Sequence, residues 1–185
     1  RRLLPILFGE EETGANLNDT QFSQPALFAL QWALGETWRR WGVEPTVLMG
    51  HSVGEYAAAC LAGVFTVEEG FRLMCERGRL MGSLASGGGM LAVQAPTALV
   101  EAALSEFTHE LSIAAYNGPR LCVVSGPKSD LDQLGALLAE KRVPCQPLEV
   151  SGGFHSVLVE PILDDLEDAA RSVTHRPAQI SLISN

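Results

Sequence analysis

No stretch of the sequence approaches the roughly 20 unbroken apolar residues that cross a bilayer as a helix, and no charged-then-apolar leader with a cleavage site opens it. Basic residues are also in short supply: 13 Lys and Arg against 22 Asp and Glu give a formal net charge of −9. A surface of that sign repels nucleic acid and anionic lipid, so neither nucleic acid nor a membrane is expected as a partner. An acidic substrate is not excluded, because it needs only one well-placed cation. Cys60, Cys75, Cys122 and Cys145 form no Cys-x-x-Cys pair. Each lies in an apolar segment and is expected to be a small buried thiol in a reducing, cytoplasmic setting. The histidines are dispersed without metal-ligand spacing, and no metal site is expected. Internal repeats and low-complexity tracts are missing too. So is a start methionine: the chain opens on Arg1-Arg2-Leu3 and stops at Asn185 after a strand-like run, as an excerpt of a longer polypeptide would.

What is present is an ordinary globular composition, 46% hydrophobic and 19% charged, in 185 residues. That length accommodates one domain, or a core carrying a smaller inserted subdomain. The segment 20–41 is expected to start with polar turn residues and continue as a helix from Pro25, which suits a first turn because its missing N–H is harmless there. Thr46-Val47-Leu48-Met49 reads as a buried parallel strand, followed by a small-residue helix over 55–62. Thr66 and Glu69 have the spacing of a capping box opening a helix that runs to Leu84. The triplet Gly87-Gly88-Gly89 reads as a hinge.

Beyond it come a strand (90–94), a helix (97–107), two strands (112–116 and 121–125) with a turn at Asn117-Gly118-Pro119, a helix (129–141) and a strand (145–150). That βαββαβ order is a ferredoxin-like unit. A helix over 156–173 and a terminal strand close the chain. The fold class expected is α/β: a core with a parallel sheet from 1–87 and 152–185, and an inserted ferredoxin-like subdomain at 88–151.

Gly50-His51-Ser52-Val53-Gly54 has the form G-x-S-x-G between a strand and a helix. A serine on such a tight turn stands clear as a nucleophile, and the flanking glycines let backbone pass where a side chain would clash. The Val53 N–H, at the helix start, points toward a developing oxyanion. A serine nucleophile needs a base. His51 adjoins it but points away, and is expected to pack or make supporting hydrogen bonds. His109 and His175 sit among polar residues. His155, in Gly153-Phe154-His155-Ser156, is the remaining candidate. Arg77 falls in the middle of the helical stripe of Leu73, Leu80 and Leu84, where a charge needs an anionic partner. That partner is either a structural ion-pair mate or a substrate carboxylate gripped by the planar guanidinium.

With Glu55-Tyr56 after the serine motif, Glu76-Arg77-Gly78-Arg79-Leu80-Met81, Tyr116-Asn117-Gly118-Pro119 and Phe154-His155-Ser156, the chain resembles the malonyl-CoA:acyl-carrier-protein acyltransferase family. The closest resemblance is to acyltransferase domains of modular type I polyketide synthases. It implies an α/β-hydrolase-like core and ping-pong transfer: Ser52 as nucleophile, His155 as base and Arg77 holding the acyl group's free carboxylate. It further implies Val53, His51, Phe154, Asn117 and Gly152 as substrate-contact positions. No cofactor is implied: acyl-CoA is the substrate, and phosphopantetheine belongs to the partner acyl carrier protein. Neighbouring synthase domains are the other expected partners.

The family's N-terminal Gly-Gln-Gly motif and the C-terminal region whose carbonyl orients the histidine do not occur in the sequence. The family signature ending in the histidine is His-Ala-Phe-His for malonyl and Tyr-Ala-Ser-His for methylmalonyl, against Gly152-Gly153-Phe154-His155 here. Phe154 and Val53 favour malonyl, while Gly152 matches neither and is expected to enlarge the pocket. A serine thioesterase, a non-catalytic docking module, and selectivity for methylmalonyl or another substituted extender unit are the alternatives. The first lacks an acid placed to serve His155, since Asp130, Asp132 and Glu149 fall in the inserted unit.

Overall fold

A computed structural model describes residues 3–9, 16–84, 86–107 and 110–184. His109 lies outside the described residues. By compactness the chain divides into two units, residues 1–82 with 164–185, and residues 83–163.

The first unit holds helices α1 (Leu3–Phe8), α2 (Thr20–Arg40), α3 (Val53–Leu61), α4 (Val67–Gly82) and α7 (Leu163–Arg171), with strands β1 (Val47–Met49) and β6 (Ser181–Ile183). Phe28 of α2 and Met74 of α4 are completely buried and centre a cluster with Ala57, Cys60, Phe65, Leu73 and Val173. Each large side chain so buried stabilises the fold by about 1.5–3 kcal/mol. The α4 cap forms as the spacing predicts: Thr66 N–H donates to Glu69 Oε2 at 2.8 Å, and Glu69 N–H donates to Thr66 Oγ1 at 3.2 Å. Helices α2 and α3 each stop on a glycine at positive φ, Gly42 (88°) and Gly63 (83°). There the N–H groups of Gly42 and Val43 close on the carbonyls of Arg39 and Trp38, a glycine-terminated cap.

β1 and β6 pair in parallel, Leu48 opposite Leu182. The pairing matches expectation and the burial does not: Val47 and Met49 are exposed. Among the described residues these strands have only one another, so their outer faces are uncovered. The same holds for a stripe on α2, where Leu27, Leu30, Leu34, Trp38 and Trp41 recur at three- and four-residue intervals and are all exposed. Pro25 lies inside α2 and not in its first turn, because the helix starts at Thr20 after Asp19.

The second unit is a four-stranded antiparallel sheet, order β3-β4-β2-β5, built from β2 (Gly88–Val93), β3 (Ser112–Gly118), β4 (Leu121–Pro127) and β5 (Cys145–Pro147). Helices α5 (Thr97–Leu104) and α6 (Lys128–Glu140) supply Val100, Leu131, Leu134 and Leu138 to a core with Leu91, Val93, Cys122 and Val124. The connectivity is the βαββαβ order of a ferredoxin-like unit.

Several details differ from expectation. The β3–β4 hairpin turns at Pro119-Arg120, since Gly118 pairs with Leu121 and Asn117 lies within the strand. Gly88 and Gly89 belong to β2 and not to a hinge. The helix expected over 156–173 is split: a 3₁₀ segment, Val157–Ile162, precedes α7, and Pro161 supplies no N–H to an α-helical ladder. Residues 152–163 pack with the second unit, because Gly153 sits against Gly88 and Gly126. Cys60 and Cys122 are buried as expected, but Cys75 is exposed and Cys145 half-buried. Burial pushes the Cys60 thiol up to about 11, with Glu36 and Glu68 adding to the effect.

Candidate active site

Ser52 occupies the corner between β1 and α3, with φ 52° and ψ −115°. A serine at positive φ is held there by its surroundings. The Gly54 N–H closes on the His51 carbonyl at 2.9 Å and the Glu55 N–H on the Ser52 carbonyl at 3.0 Å. The turn is so tight that a Cβ on Gly50 would lie 2.0 Å from the Gly54 carbonyl carbon. Only glycine fits. Gly54 is different: the nearest atom to an added Cβ is Gln31 Oε1 at 3.9 Å, an ordinary contact. The expectation that both flanking glycines relieve a clash therefore holds for Gly50 alone. His51 is exposed and Val53 half-buried against the core cluster. Val53 opens α3, so its N–H is one of the four donors a helix start leaves without a helical partner.

Arg77 is 6% exposed, and its position on the core-facing stripe of α4 is as the period predicts. Its Nη1 donates to Gln24 Oε1. Its Cζ stands 5.6 Å from the centroid of the Tyr56 ring, within cation–π range. Its Nε is buried and has no partner. Among the described residues the ion pairs are Arg39–Glu36, Arg79–Glu76, Arg171–Glu167 and Arg176–Glu69, and none involves Arg77. Burial pulls the guanidinium's affinity for its proton down, and Tyr56 partly opposes this. The charge is thus desolvated, fixed in place and, among the described residues, uncompensated by any carboxylate. A structural ion-pair mate, one of the two sequence-level alternatives, is ruled out among the described residues.

His155 belongs to the second unit and also has positive φ, 59°. It is exposed, at the tip of a turn closed by Ser156, whose Oγ donates to the Gly153 carbonyl at 2.6 Å and accepts the Leu158 N–H at 3.3 Å. The turn is seated by a backbone contact: a Cβ on Gly88 would lie 2.4 Å from Gly153 N. Asn117 is elsewhere on this unit. Ser112 pairs with Ser125 and Gly118 with Leu121, so Asn117 lies roughly 15 Å along β4 from Gly126, against which Gly153 packs. The register does not bring Asn117 into the Gly152–His155 turn.

A family model for the acyl transferase domain matches residues 3–185. The chain belongs to that family. It is 40% identical over 183 residues to the phenolphthiocerol synthesis polyketide synthase type I Pks15/1 of Mycobacterium marinum, covering 99% of this chain and 8% of that protein. It is also 40% identical over 185 residues to the mycoketide-CoA synthase of Mycobacterium tuberculosis, covering 100% of this chain and 4% of the synthase. Among solved structures, the acyltransferase domain from the second module of the salinomycin polyketide synthase superposes with TM-score 0.93 at 38% identity, covering all of this chain and 44% of that one. The acyltransferase domain of SpnD, in complex with 2-(pent-4-yn-1-yl)malonyl, matches with TM-score 0.87 at 38% identity, covering 100% of this chain and 43% of that one. The chain thus spans under a tenth of these curated relatives and under half of these solved chains. It is an acyltransferase domain of the modular type I polyketide synthase kind, with a mixed α/β fold.

Within this acyltransferase domain, Gly152 does not simply open space. A Cβ there would meet the Phe154 ring at 3.2 Å, so that ring folds back over the position the missing side chain vacates. Gln24 is the residue that sequence reasoning missed. Its Nε2 donates to Thr20 Oγ1 at 2.7 Å and to Met81 Sδ at 3.0 Å, which turns its oxygen toward Arg77. The start of α2 reaches α4 this closely at Gly78, where a Cβ would lie 2.9 Å from the Thr20 carbonyl oxygen. The signal was available: Thr20, Gln24 and Phe28 follow at four-residue intervals and all are buried. That is the same stripe logic that singled out Arg77.

Proposed function

We propose that this acyltransferase domain loads a malonyl unit from malonyl-CoA onto Ser52 and passes it to the phosphopantetheine thiol of an acyl carrier protein in polyketide synthesis. It would do so as part of a longer cytoplasmic synthase polypeptide. The single observation that carries the reading is Arg77, a buried guanidinium with no carboxylate partner among the described residues. Leaving such a charge unpaired is strongly unfavourable. An acyl group with a free carboxylate supplies the missing anion; an acetyl group does not.

The chemistry follows in balanced steps. Ser52 Oγ attacks the thioester carbonyl as His155 takes its proton, and the oxyanion that forms is met by the Val53 N–H. Collapse breaks the carbon–sulfur bond, and His155 returns the proton to the departing CoA thiol. The ester on Ser52 is then attacked by the carrier-protein thiol, whose proton passes through His155 back to Ser52. No redox or metal chemistry enters. Positive φ at Ser52 and at His155 supports a functional role for each residue on its own unit, since strained residues cluster at functional sites. Phe154 and Val53 support malonyl over a branched extender, because a ring and a β-branched side chain leave little room for an α-substituent. His51, Asn117 and Gly152 are proposed to border the substrate.

The test is the intact mass of the parent polypeptide's acyltransferase domain after mixing with malonyl-, methylmalonyl- and acetyl-CoA, beside its Ser52→Ala variant. A malonyl-sized adduct on the unaltered protein alone is expected. An adduct that survives Ser52→Ala removes Ser52 as nucleophile, and faster loading of methylmalonyl removes the malonyl assignment. A folded protein that takes no adduct makes a docking module the better reading.

A further inference from the structure

We propose that Tyr56 is a positioning residue: its ring holds the Arg77 guanidinium at a set reach from Ser52 and thereby sets the preference for acyl groups carrying a free carboxylate. This rests on the reading of Arg77 as the carboxylate clamp.

Three observations place Tyr56 in that role. It lies four residues after Ser52, one turn into the helix that Ser52 caps, so the two stand about one helical pitch apart along α3. Its ring centroid is 5.6 Å from Arg77 Cζ, and the ring is itself packed against the Phe28–Met74 cluster. The guanidinium is gripped on a second side by Gln24, whose amide is pinned by Thr20 and Met81.

Arg77 therefore sits between an aromatic platform on α3 and an amide on α2, with Nε left over. Of the two supports, Tyr56 alone is on the helix that begins at Ser52. Any movement of Ser52 with α3 carries the platform with it, so nucleophile and platform belong to one rigid element, and the cation on α4 rests against that platform. The platform thereby sets how far the carboxylate-binding cation stands from the nucleophile. A ring quadrupole holds a guanidinium in this way without neutralising it. A carboxylate at position 56 would neutralise it and compete with the substrate.

The experiment compares the parent polypeptide's acyltransferase domain with Tyr56→Phe, Tyr56→Leu, Arg77→Ala and a protein carrying pentafluorophenylalanine at position 56, which keeps the ring's shape and reverses its quadrupole. Loading of malonyl-CoA and acetyl-CoA is followed by intact mass, and kcat and KM are resolved for each. Tyr56→Phe is expected to stay within about threefold of the unaltered protein. Tyr56→Leu and the fluorinated ring are expected to raise KM for malonyl-CoA about tenfold while leaving acetyl loading unchanged. Equal losses for both substrates would mean that Tyr56 merely supports the fold, and no loss with the fluorinated ring would remove the cation–π role; either overturns the proposal. If Tyr56→Leu does not fold, the fluorinated protein decides, because its shape is unchanged. Should Arg77→Ala leave the malonyl-to-acetyl ratio intact, the clamp reading itself fails. A ratio that collapses in Arg77→Ala but holds in both Tyr56 variants sinks the Tyr56 proposal alone.

Discussion

Exchanging each glycine of the serine turn for alanine separates the two positions that the motif writes identically. At Gly50 an added Cβ would stand 2.0 Å from the Gly54 carbonyl carbon, 2.1 Å from its oxygen and 2.2 Å from Glu55 N. Ordinary contact begins near 3.4 Å, so relief requires the first turn of α3 to retreat by about 1.4 Å. All three obstructing atoms are backbone, and no side-chain rotation removes them. Overpacking of this kind costs about 1–3 kcal/mol, which for a domain of this size lowers Tm by roughly 2–12 °C. A displacement of about 1 Å at the nucleophile lowers the loading rate by about a hundredfold.

At Gly54 the nearest atom is Gln31 Oε1 at 3.9 Å, and the residue lies in the first turn of α3. Alanine there removes backbone freedom from the unfolded chain and gains about 0.5 kcal/mol, so Tm is expected to hold or rise by a degree or two. Thermal unfolding by circular dichroism, run beside pre-steady-state loading by intact mass, reads both effects. Equal melting temperatures for Gly50→Ala and Gly54→Ala would refute the turn geometry.

Two further outcomes follow from the same unit. Arg77→Met replaces a buried cation that has no carboxylate partner among the described residues by an apolar chain of similar length and is expected to raise stability, while malonyl loading falls and the malonyl-to-acetyl ratio drops toward one. Denaturant titration and competitive loading check the two halves. Glu69 is held down to about 2 chiefly by the Thr66 N–H, with the Thr66 hydroxyl, Arg176 and the Thr174 N–H assisting. Because its folded pKa lies below the ordinary 4.5, its contribution is fully present above that value and fades as pH falls toward about 2. Glu69→Gln is therefore expected to be less stable near neutrality, with the gap closing between pH 4.5 and 2; a gap constant across that window would contradict the assignment.

What could be read from the chain alone divides by the range of the forces involved. The Thr66–Glu69 cap and the placement of Arg77 on α4 depend on residues within one or two turns, and each formed as its spacing predicts. The βαββαβ order was legible because every element carries its own period. Pro25 misled because a proline suits a first turn so well that the helix start was drawn too near it, although Thr20 and Gln24 already lie on the buried face.

Burial was the harder property. Val47 and Met49 have the apolar character of a covered strand, and whether they are covered depends on chain other than the described residues of the first unit. Cys75 is apolar by type yet falls on the outer side of α4. Gln24 went unread because its importance comes from a contact 53 residues away in sequence, which no local pattern encodes.

The left-handed backbone at Ser52 and His155 has a consequence for how this chain would drift. Three non-glycine residues have positive φ among those described: Ser52, His155 and Arg142. Arg142 ends α6, where its N–H and that of Val143 close on the carbonyls of Ala139 and Leu138, and its conformation is that of a helix terminus. The other two end nothing; one opens a helix and one tips a turn. Each holds a conformation that glycine adopts freely and an L side chain adopts at about 1–2 kcal/mol. A lineage released from chemistry would relieve that backbone cost by replacing either with glycine. Serine and histidine at those two points therefore carry a backbone cost that glycine would not.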